Sequence, residues 1–174
     1  AAITALGALP AVDATRVAAL GVCAGAGVVA RLAAEDARIR AVGTVAAWLQ
    51  HPSTTPLFYG GAEGIARRLA ASDAARARFD ATGVVETVPA YDPADGSAAA
   101  MFFPVPYYAD PARGAVAAWR NEFAVMGGRE WLTLDALALA PKVRVPVLMV
   151  HSDGAALPDN VRRFFADLAT PADA

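Results

Sequence analysis

The stretch that decides the fold is Val17–Arg31, VAALGVCAGAGVVAR. Its apolar first part leads into Gly21–Gly25, GVCAG, and small residues at helical spacing follow at once. A short apolar run bounded by glycine is typical of a buried strand, and the spacing after it is typical of a helix. The stretch therefore predicts a strand, a tight turn that carries one cysteine, and a helix whose N-terminus points at the thiol.

The spacing of this turn is that of the nucleophile elbow G-x-S-x-G, with Cys23 in place of the serine. Gly21 and Gly25 are expected to have a steric role, because the strand and the helix press close against such a turn. The positive end of the helix dipole would favour a thiolate. The alternative is that Cys23 is a small buried hydrophobe beside a glycine turn, since buried free cysteines are common.

Composition narrows the class of protein. The 174 residues are enough for one domain with a full core. A net charge of −2 gives no electrostatic footprint for nucleic acid. No apolar run reaches the roughly 20 residues that a membrane span needs. We therefore expect neither nucleic acid nor a membrane as a partner.

Cysteine and histidine are scarce, with one Cys and two His in the chain. A single Cys excludes an intramolecular disulfide framework and a Cys-rich zinc site. A lone thiol fits a reducing compartment, so a cytoplasmic location is expected. The glycines of the elbow do not follow the dinucleotide fingerprint G-x-G-x-x-G, and no cofactor or metal is expected.

The pattern around the elbow predicts a βαβ unit. Residues 1–9 form an amphipathic helix, and Arg16–Val22 and Ile39–Trp48 read as strands that need burial on both faces. The connecting helix runs to about Glu35, with Val28, Val29 and Leu32 as its inner face. Strand, helix and strand within about thirty residues form a crossover, which makes the sheet parallel.

A third buried strand is predicted at Val143–His151, followed by a helix that begins at Pro158. Between Leu49 and about Leu139 the character differs, with Pro-, Gly- and Tyr-rich turns among short helical patterns. This length is too great for a crossover loop. The fold class predicted is therefore α/β, with a partial core of residues 1–48 and 140–174 and an inserted helical cap of residues 49–139.

Within the insert, two helices are predicted at Gly61–Ala71 and Ser72–Ala81, with Ser72 as the N-cap of the second. Asp110-Pro111 is expected to open a further helix that contains Trp119. Aromatic residues are frequent in this region, and in a cap such residues commonly line a pocket. They are Tyr59, Tyr91, Phe102, Phe103, Tyr107, Tyr108 and Trp119.

Taken with the stretch PVLMVHSDGAALP and the insert, the elbow makes the chain resemble the α/β-hydrolase superfamily. Within it, the sequence is similar to the dienelactone-hydrolase-like bacterial enzymes, which resemble LGVCAGAG at the elbow, AVGTVAAWL at the next strand, and YYADPARGAV and HSDGAALPDNVRRFF further on. The likeness runs in order over nearly the whole chain. A Cys nucleophile is also a feature of the dienelactone hydrolases, which use Cys-His-Asp.

The resemblance implies roles for three positions. Cys23 matches the nucleophile, and the backbone N–H of Ala24 matches the oxyanion donor that follows it. Asp153 matches the catalytic acid after the third strand, because superfamily triads run nucleophile, acid, histidine along the chain. Asp153 is alternatively a turn residue before Gly154, since Asp-Gly is a common turn pair.

Two parts of the family's site have no match in this sequence. The resemblance places the triad histidine after a further strand, beyond the helix at Pro158, and the second oxyanion donor in an earlier loop. The chain is therefore expected to be a fragment of a longer hydrolase or a degenerate copy. His51 is a weak candidate for the base, a pocket residue or a plain turn residue, and His151 is expected to be a satisfied structural histidine.

Two functional hypotheses follow. The first is a hydrolase of small carboxylic esters or lactones that uses the thiol of Cys23. The second is a non-catalytic remnant that binds a small apolar ligand or a partner subunit, and a homodimer is possible because a truncated sheet exposes an apolar edge. The substrate pocket is expected to involve His51, Tyr59, Tyr107, Tyr108 and Trp119.

Overall fold

The structure is a computed structural model that describes residues 2–94 and 99–169. The chain divides into two compact units. The first holds the residues up to Thr55 together with those from Thr133 onward, and the second is Pro56–Leu132. Residues 49–55 and 133–139, which the sequence analysis placed with the insert, lie in the first unit.

The secondary structure alternates between helices and short strands. The α-helices are α1 (Ala2–Gly7), α2 (Gly25–Glu35), α3 (Thr55–Phe58), α4 (Gly61–Thr82), α5 (Pro106–Ala109), α6 (Gly128–Leu132) and α7 (Pro158–Ala166). The strands are β1 (Val17–Val22), β2 (Ile39–Val45), β3 (Thr87–Val88), β4 (Phe123–Ala124) and β5 (Val147–Val150). Short 3-10 helices span Val125–Gly127 and Leu137–Lys142.

The first unit is built on a parallel sheet in the order β1-β2-β5. Val22 pairs with Val45, and Val45 pairs with Val150, so all three strands end in register at one edge of the sheet. The parallel α/β core predicted from the sequence is confirmed. The carboxyl ends of such strands are where open α/β sheets bind their ligands.

One face of this sheet carries the core. Ile39 and Val42 of β2 are buried with Val17 and Val29, and α7 contributes Phe164 to a second cluster on the same unit. The predicted inner face of α2 is partly wrong, because Val28 is exposed. The buried residues of that helix are Ala26, Gly27, Val29 and Ala30, whose small side chains let α2 lie close to the strands.

The other face is bare within the described residues, so the prediction of burial on both faces is wrong. Leu20 of β1 is 70% exposed and Leu148 of β5 is 68% exposed, and both pair with Gly43 of β2 across the sheet. Val22 and Val150 are exposed in the next row. We call this surface, formed by Leu20, Val22, Val45, Leu148 and Val150, the bare sheet face.

Two predicted strands are too long. The strand predicted at Ile39–Trp48 ends at Val45, because Ala46 has a φ of 46° and turns the chain away from the ladder. The strand predicted at Val143–His151 pairs only from Val147, immediately after Pro146. Proline has no N–H to donate to a ladder, which accounts for the late start.

In the second unit the two predicted helices are one. α4 runs without a break through Ser72, which is buried rather than an N-cap. Its Oγ donates to the carbonyl of Met126 at 3.1 Å and accepts the N–H of Arg129 at 2.9 Å. The helix ends at Thr82, one residue beyond the predicted Ala81, and is followed by Gly83, whose φ of 72° is a left-handed conformation suited to glycine.

The rest of the second unit is mostly irregular. β3 and β4 form a short antiparallel pair, with Val88 opposite Phe123. The helix predicted from Asp110-Pro111 is wrong: residues 110–122 contain turns, a bend and backbone without regular secondary structure, and Phe123 lies in β4. Gly114, with a φ of 147°, sits against the ring of Tyr107 and breaks any helical path there.

Among the described residues, none of the helices combines the length and apolarity needed to cross a bilayer.

Candidate functional site

Cys23 lies in the tight turn between β1 and α2. Its φ is 52°, a left-handed conformation that is uncommon for a residue with a side chain. Its N–H donates to the carbonyl of Val45 at 3.1 Å, and its carbonyl accepts from Ala26 N–H at 3.0 Å and Trp48 N–H at 2.9 Å. These three bonds hold the turn on both sides, and they place a partly exposed thiol at the carboxyl edge of the sheet.

The two glycines of the elbow differ in what they do. A Cβ at Gly21 would lie 2.5 Å from the carbonyl oxygen of Gly25 and 2.7 Å from Ala26 Cα, so only glycine fits there. A Cβ at Gly25 would meet nothing within 4 Å. The steric role predicted for Gly21 therefore has a direct cause, whereas the described residues give none for Gly25.

Asp153 lies beyond the end of β5, at the same edge of the sheet as Cys23. One strand, β2, separates the two, and neighbouring strands lie about 4.8 Å apart. β1 and β5 therefore lie roughly 10 Å apart, and the predicted nucleophile and acid follow the carboxyl ends of these two strands.

The carboxylate of Asp153 is 88% exposed and pairs with Arg162 of α7 at 2.5 Å. Arg162 also donates to Asp159 at 2.8 Å, so one guanidinium holds two carboxylates. Sequence reasoning missed Arg162. The available signal was its position one helical turn after Asp159, where an i, i+3 pair is expected on α7.

His151, two residues before Asp153, lies on the wall of a cavity of about 300 Å³ that Arg162 and Phe165 also line. Both of its ring nitrogens are buried and have no hydrogen-bond partner among the described residues. The expectation of a satisfied structural histidine is therefore wrong, because nothing in the described part of the chain meets either nitrogen.

His51 follows β2 and opens a closely bonded turn. Its Nδ1 accepts the N–H of Ser53 at 3.2 Å and lies 2.7 Å from Ser53 Oγ, while its carbonyl accepts from Thr54 and Thr55. These contacts fit the turn interpretation of His51.

The aromatic residues that were predicted to line one substrate pocket are divided, in the second unit, between an aromatic cluster and a cavity. Tyr108 is the centre of an aromatic cluster, with ring centroids 5.2 Å from Tyr107, 5.4 Å from Tyr91 and 5.0 Å from Trp119. Tyr59 instead lines a separate cavity of about 210 Å³ within the second unit.

That cavity has apolar walls and charged residues at its lining. Trp131 Nε1 donates to Tyr59 Oη at 2.6 Å and fixes two of the aromatic walls. Arg67 and Arg68 of α4 and Glu86 supply the charges. Sequence reasoning missed both arginines, although adjacent basic residues on an otherwise alanine-rich helix were visible in the sequence.

No group of three or more His, Cys, Asp or Glu side chains within residues 2–94 and 99–169 is placed to hold a metal ion.

No family model matches the chain, and no curated protein matches it. Solved structures do. The chain is similar to DcsB, solved in complex with its substrate analogue, with 21% identity and a TM-score of 0.65 over 97% of this chain and 58% of that one.

Two further solved structures are similar to the chain. One is the α/β hydrolase GrgF from Penicillium sp. sh18, with 21% identity and a TM-score of 0.64 over 98% of this chain and 57% of that chain. The other is a hypothetical protein from Pseudomonas aeruginosa, with 20% identity and a TM-score of 0.61 over 99% and 55%. The chain thus spans less than two thirds of each of these proteins. The fold is that of an α/β hydrolase, as the sequence predicts.

Proposed function

We propose that the chain carries the nucleophile of a thiol hydrolase that acts on small carboxylic esters or lactones. The observation that carries the proposal is the left-handed conformation of Cys23, at φ 52°, in the turn between β1 and α2. A side chain in this conformation costs roughly 1–2 kcal/mol. Such strain tends to persist at functional sites, where the surrounding structure holds it in place.

Two more residues with a strained backbone favour the assignment of the site to the carboxyl edge of the sheet. Ala46, at φ 46°, follows β2, and Leu157, at φ 53°, precedes α7. Ala46 N–H donates to the carbonyl of Val150 at 2.8 Å, which ties the turn after β2 to the end of β5. The three outliers thus occur in connections that leave the carboxyl ends of the parallel strands.

The chemistry proposed is acyl transfer to sulfur followed by hydrolysis. Cys23 Sγ attacks the carbonyl carbon and forms a C–S bond, the ester C–O bond breaks, and the alcohol leaves with the proton that the thiol has lost. The N–H of Ala24, the residue after the nucleophile, is assigned the role of donating to the oxyanion. Water then cleaves the thioester and releases the acid, with the thiol restored.

The base that would activate Cys23 and the water is not assigned to a residue of this chain. The α2 N-terminus alone contributes about 0.3–1 kcal/mol to an anion. Asp153 is proposed as the residue that would orient a histidine, and its present partner is Arg162. We therefore expect this chain to be acylated more readily than it turns over.

The test is acylation of the folded chain by 4-nitrophenyl acetate, followed by mass spectrometry of the peptide that contains Cys23. The expected result is release of about one nitrophenol per chain, a thioester at Cys23 and slow release of acetate. Cys23→Ala serves as the matched variant and should abolish the burst. A thiol that is acylated only in denaturant would overturn the proposal.

The second candidate is a non-catalytic binding protein with the same fold. The observation in its favour is that the carboxylate of Asp153 is 88% exposed and pairs with an arginine rather than with a histidine. An unreactive Cys23 in a folded chain that still binds small apolar acids or esters would support this candidate.

A further inference from the structure

The cavity of the second unit lies within Pro56–Leu132, away from Cys23 in the chain. Its volume is about 210 Å³. A dry cavity of about 150 Å³ accepts benzene, and sites for drug-sized ligands begin at about 300 Å³. The size therefore matches one six-membered ring with a short substituent.

The walls suit a flat apolar group. Phe123 of β4, Trp131 of α6 and Tyr59 contribute rings, and Val88 of β3 and Leu132 contribute aliphatic surface. Tyr59 and Leu132 are buried. Aromatic and aliphatic walls with few polar groups are typical of small-molecule sites.

The charge on the lining is positive. Arg67 and Arg68 contribute two cations, and the one carboxylate among the described lining residues, that of Glu86, pairs with Arg78 at 3.1 Å. Burial is the largest influence on the pKa of Arg68 and lowers it; Tyr59 acts in the opposite direction, and the neighbouring Arg67 lowers the pKa by a smaller amount. A ligand anion at this position would offset both unfavourable causes.

Arg68 is also held in place before any ligand arrives. Its guanidinium lies 5.5 Å from the ring centroid of Tyr59 and 5.8 Å from that of Phe102, and its Nη1 donates to the carbonyl of Ala99 at 3.0 Å. A preorganised guanidinium loses little freedom when it binds a carboxylate. Arg67 is exposed and borders the same cavity.

We propose that this cavity is a binding site for a small aromatic carboxylate, with the ring between the apolar walls and the carboxylate on the guanidinium groups of Arg67 and Arg68. The site is separate from the reaction proposed for Cys23. It needs no step of that reaction, and the two proposals fail independently.

The test is binding of phenylacetate to the full chain, measured by titration calorimetry, with phenylacetamide as the uncharged probe of the same shape. Phenylacetate should bind about tenfold more tightly than phenylacetamide, since a hydrogen bond to a charged group is the stronger kind. Equal binding of the two probes, or no binding of either, would overturn the proposal.

The variants identify the site. Arg67→Gln, at an exposed position that can be changed without unfolding the chain, should weaken phenylacetate about tenfold and leave phenylacetamide unchanged. Ala71→Phe, at an exposed position on the lining, should block both probes by filling the cavity. Arg76→Gln is the matched control on the same helix, outside the cavity, and should change neither probe.

Cys23→Ala separates this proposal from the previous one. Phenylacetate should bind that variant as it binds the original chain, because Cys23 is not among the lining residues. If Cys23→Ala removed the binding while Arg67→Gln did not, the ligand would lie in the Cys23 site and the proposal would be wrong.

Discussion

At the scale of the residue, Cys23 combines a partly exposed side chain with an unfavourable backbone conformation. Its φ of 52° is maintained by the backbone hydrogen bonds to Val45, Ala26 and Trp48. The strain of this conformation therefore lowers the free energy of unfolding of the chain. Glycine would adopt the same conformation at no steric cost. The presence of a cysteine there is consistent with selection for the thiol.

This strain predicts an ordering of two variants. Both Cys23→Gly and Cys23→Ala remove the sulfur, but only alanine keeps a Cβ in the left-handed conformation. Strain relief of about 1–2 kcal/mol, less about 0.5–1 kcal/mol of extra chain entropy, leaves glycine ahead by roughly 0–1.5 kcal/mol. Urea unfolding of the two variants measures this difference, and an alanine variant more stable than the glycine one would contradict it.

The same scale shows where sequence reasoning about the site succeeds. The G-x-C-x-G spacing predicts the turn and the need for Gly21, because backbone contacts at that position follow from local geometry. The bond from Arg162 to Asp153 and the lack of a partner for His151 depend on how α7 and β5 meet. Residue spacing does not encode such contacts, so the sequence left them open or predicted them wrongly.

At the scale of the element, Ser72 shows how tertiary contacts override local signals. A serine after an alanine run is a reasonable N-cap, yet α4 continues through it because Ser72 Oγ bonds to Met126 and Arg129. The helix predicted from Asp110 fails for the opposite reason, since Gly114 and the aromatic cluster impose an irregular path. Strong helical or apolar periodicity predicted elements well, and capping residues predicted their ends less well.

Ser72 should therefore matter more to stability than the ion pair beside it. Ser72→Ala leaves the N–H of Arg129 and the carbonyl of Met126, both in part-buried hydrogen bonds, without this partner, which costs about 1–3 kcal/mol. Asp73→Ala breaks the ion pair with Arg129. Both side chains of this pair are about half exposed, so its loss should cost about 0–1 kcal/mol. Equilibrium denaturation compares them, and a larger loss for Asp73→Ala would refute the prediction.

The connection between α2 and β2 gives a prediction about pH. Hydrogen bonds from Arg38 hold the pKa of Asp36 well below its usual 3.8, at about 2. Arg38 also donates to Thr4 at 2.9 Å, which links this turn to α1. Because the pKa is lower in the folded chain, the unfolded chain binds the proton first as the pH falls. The stabilisation is present above about pH 4 and is lost between about pH 4 and pH 2.

Asp36→Asn should therefore be less stable than the original chain at neutral pH and should lose less stability between pH 4 and pH 2. Circular dichroism followed against pH measures both quantities. Asp80→Asn, at an exposed position on α4, is the control for removing one carboxylate. An unchanged acid profile for Asp36→Asn would show that the Arg38 bonds do not persist in solution.

At the scale of the whole molecule, the described residues cover only one face of the sheet of the first unit, whereas parallel sheets are usually covered on both faces. Sequence reasoning predicted such coverage because apolar residues run along each strand. Apolar composition alone does not say which face is covered within a given stretch of chain. The chain with this bare sheet face spans 55–58% of the length of the similar solved structures.

The bare sheet face predicts that substitutions on the two faces of the sheet differ in their effect on stability. Leu20→Gln and Leu148→Gln should each change the free energy of unfolding by no more than about 0.5 kcal/mol, because folding of the described residues buries little of either side chain. Ile39→Ala, on a side chain that is 1% exposed, should cost about 2–5 kcal/mol. The two glutamine variants should also bind less of the dye ANS, whose fluorescence reports exposed apolar surface. A loss of about 2 kcal/mol or more from either glutamine variant would mean that the face is covered in solution, since a side chain that stays in water on folding has no such energy to lose.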